Sequence, residues 1–171
     1  RTKETFSDIH QIHNKFTPLH AAATLMIKPD SLPNDTVLSK LTLASVAGNY
    51  FSFVKSKQDN GYWSAKIRSF GDYAIVADTV APDIKPIGNL NAKKILPGTT
   101  ISFKITDNFS GIDTYNLTIN DSWVLAEYDI KNNLLTYKTD PIHFTAGKNN
   151  LKLTVTDNLN NIAVYKTTLL F

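Results

Sequence analysis

The chain has 171 residues, and its 18 Lys and Arg against 15 Asp and Glu leave a formal charge of +3. Arg1 and Arg68 are the only arginines and the lysines form no dense run, so the electrostatic footprint of a nucleic-acid or anionic-membrane binder is missing. A hydrophobic share of 42% excludes a disordered chain, and the absence of Cys excludes disulfides, thiolate metal sites and a cysteine nucleophile.

In chain order, Arg1 to Asp8 is polar and lacks the apolar stretch of a secretion signal. Asp8 to Phe16 is read as a short turn of helix. Ala21 to Ile27 is the longest nearly uninterrupted apolar stretch, and it falls far short of the roughly 20 residues that span a bilayer, so no transmembrane segment is expected. Pro18, Pro29 and Pro33 argue for long connections near the start. Beyond them, period-two alternation predicts strands at Leu41 and Leu43, at Trp63, Ala65 and Ile67, and at Tyr73, Ile75 and Ala77. The same signal marks Ile101, Phe103 and Ile105, then Tyr115, Leu117 and Ile119, then Leu151, Leu153 and Val155.

Turn clusters rich in Asp, Asn and Gly separate these runs, among them Asp59-Asn60-Gly61, Asp107-Asn108-Phe109-Ser110-Gly111, Lys131-Asn132-Asn133 and Asp157-Asn158-Leu159-Asn160-Asn161. Pro82 and Pro86 remove two ladder donors within Asp78 to Pro86, which is read as a linker. The expected fold is therefore all-β, with two tandem immunoglobulin-like antiparallel β-sandwich domains at 1–79 and 80–171.

The chemistry-bearing residues are few. Histidines stand at 10, 13, 20 and 143; His10 and His13 share a helical spacing, but Gln11 occupies the place of the glutamate in the His-Glu-x-x-His zinc motif. His20 and His143 are read as half-buried strand residues. No Gly-x-Ser-x-Gly elbow and no phosphate-cradling glycine loop occurs, so neither a serine nucleophile nor a nucleotide cofactor is indicated. No catalytic residue and no metal ligand is assigned.

Among the acids near turns, Asp107, Asp113 and Asp157 are binding candidates. Calcium, which takes carboxylate and carbonyl oxygens, is one reading of them. The preferred one is that Asp107 and Asp157, each following an alternating strand, cap turn amides. Trp63 and Trp123 are read as core aromatics, which leaves Tyr62, pointing outward beside Trp63, as the candidate for a stacking contact.

Two strings are more specific: Arg68-Ser69-Phe70-Gly71-Asp72-Tyr73 running on to Asp78-Thr79-Val80-Ala81-Pro82, and Asp107-Asn108-Phe109-Ser110-Gly111-Ile112 followed by Trp123, Glu127-Tyr128-Asp129 and the Asp157 to Asn161 turn. This arrangement resembles the non-catalytic β-sandwich region that follows the catalytic domain in secreted Gram-negative zinc metallopeptidases of the lysostaphin or LytM type. Many bacterial immunoglobulin-like domains have Gly-Asn where this chain has Asn160-Asn161, and Asn also accepts the left-handed angle. That peptidase family's His-x-x-x-Asp and His-x-His motifs are not in this sequence.

The resemblance implies a non-catalytic spacer or recognition region of an exported peptidoglycan peptidase, periplasmic or at the cell surface. Its partners would be the parent catalytic domain and a cell-wall glycan or protein. The alternative is a carbohydrate- or protein-binding cell-surface module. A hydrolase built on an unusual acid pair has no motif behind it.

Overall fold

The structure is a computed structural model and describes residues 4–171. It divides into two compact units, Arg1–Thr79 and Val80–Phe171.

The first unit contains, in chain order, β1 (His10–Ile12), β2 (Ala23–Ile27), the one-turn helix α1 (Asp35–Leu38), β3 (Leu41–Ala47), β4 (Tyr50–Val54), β5 (Lys57–Asp59), β6 (Tyr62–Ile67) and β7 (Gly71–Ala77). These make two antiparallel sheets, ordered β1-β7-β3-β4 and β2-β6-β5. Alternation decides which side chains meet between them. Trp63, Ala65 and Ile67 of β6 pack with Leu25 and Ile27 of β2, Leu41 and Leu43 of β3, and Tyr73 and Ile75 of β7. The β5–β6 hairpin turns on Asn60 and Gly61, both at positive φ (50° and 80°), the two-residue turn whose twist matches the flanking strands.

Asp8 to Phe16 is not helical. His10 and Ile12 pair with Tyr73 and Gly71 as the edge strand β1, and His13 leaves the ladder at a positive φ of 55°. Nonlocal pairing supplies backbone partners that a single isolated turn of helix cannot match.

The second unit contains β8 (Asp83–Pro86), β9 (Lys93–Lys94), β10 (Thr100–Thr106), β11 (Ile112–Ile119), β12 (Ser122–Trp123), β13 (Glu127–Asp129), β14 (Leu134–Lys138), a 3-10 turn (Pro141–His143), β15 (Lys148–Asp157) and β16 (Ile162–Leu170). One sheet is ordered β13-β14-β10-β8 and the other β12-β11-β15-β16-β9, with all pairs antiparallel except β16–β9. Ile101, Phe103, Ile105, Leu135 and Tyr137 from the first pack with Leu117, Ile119, Leu151, Leu153, Val155 and Leu169 from the second. The fold is all-β.

The proline-bearing segment read as a linker contains a strand. Asp83 to Pro86 pairs with β10 on the sheet edge, where Pro86 can face away from the ladder without forfeiting a bond.

The inward row of β15 carries polar residues at both ends. Asn149, Leu151, Leu153, Val155 and Asp157 are all buried, and the alternating neighbours Lys148, Asn150 and Lys152 are exposed. Asn149 and Asp157 thus bracket three apolar side chains. Among the described residues, no helix is long and apolar enough to cross a membrane.

Candidate functional site

Two regions of the second unit gather chemistry. The first lies where the loop after β10 meets the loop after β15. Asp107 Oδ2 accepts the backbone N–H of Phe109 at 2.8 Å and of Gly111 at 2.9 Å. Asp157 Oδ1 does the same for Leu159 and Asn161, both at 2.8 Å, and its Oδ2 accepts the side-chain N–H of Asn161 at 2.7 Å. Each carboxylate therefore satisfies amides that the turn leaves orphaned, as their positions predict.

The two acids, fifty positions apart in sequence, come together because Ile112 pairs with Asp157 in the β11–β15 ladder. Their carboxylate oxygens lie within 4.8 Å of one another. Asp157 is fully buried, and Asp107 Oδ1 is a buried atom that accepts no hydrogen bond. Asp113, the third acid singled out from the sequence, is exposed on β11 where the register shifts between Ile112 and Thr114, and does not join this pair.

The second region is an open groove of about 480 Å³ lined by Leu125, Glu127, Tyr137, Lys138, Asp140 and His143, with Thr100 and Thr136. Val124 and Ala126 point into the core, so the alternate side chains Trp123, Leu125 and Glu127 form an outward row. Trp123 is 62% exposed and Leu125 66% exposed. The expectation that Trp123 belongs to the core is thus corrected, while Trp63, 3% exposed, is a core residue.

Tyr137 forms the floor, where burial raises its phenol above the ordinary value; the N–H of Asp140, donated to its oxygen at 3.4 Å, pulls the other way, and the Asp140 charge adds to the rise. At the far side of the same sheet, burial and the Asp129 charge raise Tyr128. Hydrogen bonds from Asn132, first from its side chain and then from its backbone, lower Asp129. This groove offers carboxylate acceptors, an ammonium, an imidazole and the exposed Leu125 side chain, a mixture suited to polar ligands with apolar faces, while the exposed Trp123 stands two residues before Leu125 and does not line it.

Tyr62 belongs to the first unit. It is 40% exposed and shares the outward face of β6 with Ser64 and Lys66. Lys55, Lys57 and Lys66 line a shallow groove of about 460 Å³ on that unit, together with Thr24, Ser64 and Ala65.

The histidines do not assemble. His10 lies on β1, His13 stacks edge-on against Phe70 at 4.9 Å, and His20 is exposed in a bend. His143 is half-buried, though on the 3-10 turn and not on a strand. Among the described residues no histidine joins a group of three metal-ligating side chains.

No curated protein matches the chain. Among solved structures, it is similar to the endo-β-1,4-mannanase of Thermotoga petrophila at 8% identity and a TM-score of 0.46, over 54% of this chain and 20% of that one. The chain thus spans about a fifth of the mannanase's length. Similarity to the fibronectin(III)-like modules of Clostridium thermocellum CbhA covers 88% of this chain and 86% of that one, at 12% identity and a TM-score of 0.43. CopC from Methylosinus trichosporium OB3b is similar over 51% of this chain and 91% of its own, at 12% identity and a TM-score of 0.37. Residues 1–78, which include all seven strands of the first unit, match the family model of the Zu5-like domain.

Proposed function

We propose that this chain is a non-catalytic recognition and spacing region of an exported bacterial cell-wall peptidase, working in the periplasm or at the cell surface. The observation that carries the recognition part is the groove of the second unit, lined by Leu125 and Glu127, together with the exposed Trp123 two residues before Leu125. A groove with carboxylates and an ammonium, and an exposed indole near it in sequence, suit weak, repeated contacts with a sugar or peptide polymer. Tethering to an enzyme would raise the local concentration of such contacts without requiring tight binding at any one site. The peptidase context is supported by the Phe70-Gly71-x-Tyr73 and Asp107-x-x-Ser110-Gly111-Ile112 strings.

Sedimentation with insoluble peptidoglycan tests it. The chain is expected to co-sediment, Trp123→Ala to lose most of that binding with its melting temperature unchanged, and neither protein to release soluble fragments. Zinc-dependent hydrolysis by the purified chain would overturn the non-enzymatic reading. Equal sedimentation of wild type and Trp123→Ala would remove the Trp123 surface from it.

A second reading, a carbohydrate- or protein-binding surface module with no peptidase parent, is favoured by the Tyr62 face and its three lysines. Glycan binding lost in Tyr62→Ala but retained in Trp123→Ala would select this reading over the first.

A further inference from the structure

We propose that the outward face of the β2-β6-β5 sheet in the first unit docks a carboxylated glycan, with sugar rings against Tyr62 and carboxylates against Lys57 and Lys66; this rests on the reading of the Tyr62 face as a carbohydrate-binding surface. Strand register puts these side chains on one face. Trp63, Ala65 and Ile67 point into the core, which turns Tyr62, Ser64 and Lys66 outward. On β5, Lys57 stands opposite Ser64 and Asp59 opposite Tyr62, while on β2 Thr24 stands opposite Lys66 and Met26 opposite Ser64. Met26 is 50% exposed and Tyr62 40%, whereas Ser64 is buried on the floor between the flanking strands.

The charge on this face is one-sided. Lys55, Lys57 and Lys66 line its groove of about 460 Å³ with Thr24, Ser56 and Ser64, and no acid among the described residues lines it. The Lys66 ammonium donates to the Thr24 hydroxyl at 2.7 Å, a neutral acceptor, and neither Lys57 nor Lys66 forms an ion pair with a described carboxylate. Cations gathered on one surface without a counter-charge attract an anion. Asp59, opposite Tyr62, repels one at the other end, so the ligand's carboxylates are directed to the lysines and its neutral ring faces to the phenol. Lys66 lies four positions beyond Tyr62, about 13 Å along the strand, a span that suits a chain of rings. A peptide finds less here. β6 is paired on both sides, so the floor has no open ladder for a main chain to join, and the hydroxyls and ammoniums that remain suit ring hydroxyls and carboxylates.

The test is affinity electrophoresis and calorimetry of the full chain with polygalacturonate, its methyl-esterified form and polyglutamate. Polygalacturonate is expected to bind about five- to tenfold tighter than the ester, and to lose that margin as salt rises from about 0.02 to 0.5 M. Lys57→Gln combined with Lys66→Gln should weaken polygalacturonate binding about five- to tenfold and leave the ester unchanged. Lys57→Arg with Lys66→Arg should bind as wild type does, and Tyr62→Ala should weaken both glycans. The substituted positions are exposed, so melting temperatures should stay near wild type. Equal affinity for acid and ester, or full polygalacturonate binding by the double Gln variant, overturns the proposal while the carbohydrate reading of Tyr62 stands. Tighter binding of polyglutamate than of polygalacturonate overturns it in favour of an acidic protein partner. Binding of neither glycan overturns both the proposal and that reading.

Discussion

Asn149 accepts the backbone N–H of Thr145 at 2.8 Å and returns a side-chain N–H to the Thr145 carbonyl, also at 2.8 Å. The same fully buried amide accepts an N–H from Asn120 at 2.7 Å and donates to the Gly147 carbonyl at 3.0 Å. One side chain thereby supplies the partners that a tight loop cannot find in a ladder. Asn149→Leu keeps the bulk and abandons every one of these bonds, so several polar groups are left buried without partners. The expected cost is about 3 kcal/mol or more. Urea unfolding followed by far-UV circular dichroism checks it, and a loss below about 1 kcal/mol would show the network to be dispensable.

The two tryptophans should report separately. Trp63 donates its indole N–H to the Leu41 carbonyl at 3.0 Å from inside the first core, whereas Trp123 stands in solvent. Acrylamide is expected to quench the emission remaining in Trp63→Phe strongly and that remaining in Trp123→Phe weakly. Trp63→Phe should also destabilise the first unit by about 2–3 kcal/mol, from a lost bond and a partial cavity. Trp123→Ala should fall within about 0.5 kcal/mol of wild type.

Asn160 occupies a left-handed angle, φ 60°, in the turn that Asp157 caps. Asn160→Gly is expected to be near neutral, because glycine holds that angle without strain, and Asn160→Val to cost about 1–2 kcal/mol. Chemical denaturation of the pair measures the difference. Equal stabilities would show that the backbone relaxes around the substitution.

Tyr137 gives the second unit an alkaline sensitivity. Its phenol is raised chiefly by burial, so the folded state holds the proton more tightly than the unfolded chain does. The associated stability is complete below the ordinary tyrosine value near 10 and falls as pH rises from there through the folded value. Wild type should therefore lose stability above about pH 10 more steeply than Tyr137→Phe. Melting temperatures between pH 8 and 11.5 test this, and parallel curves would refute it.

The strands were legible wherever apolar and polar residues alternate, as at Ile101 to Thr106 and Leu151 to Asp157, because one face of each meets the core. Trp123 was not placed correctly because Trp123-Val124-Leu125-Ala126 is apolar throughout and carries no phase. Only packing decides that Val124 and Ala126 turn inward. The caps on Asp107 and Asp157 were visible from local turn chemistry, but the approach of one carboxylate to the other was not, since the β11–β15 register that creates it is nonlocal. His10 shows the converse, a locally plausible helical spacing overridden by pairing with Tyr73 on the opposite strand.

The bracketed row on β15 has a mechanical consequence. Displacing that strand by two residues in either direction would drag an amide or a carboxylate into hydrocarbon and strip it of its loop contacts, so the ladder possesses a stop at each limit of travel. Under tension the strand would then yield by peeling, bond after bond from an edge, and not by slipping into a neighbouring alignment.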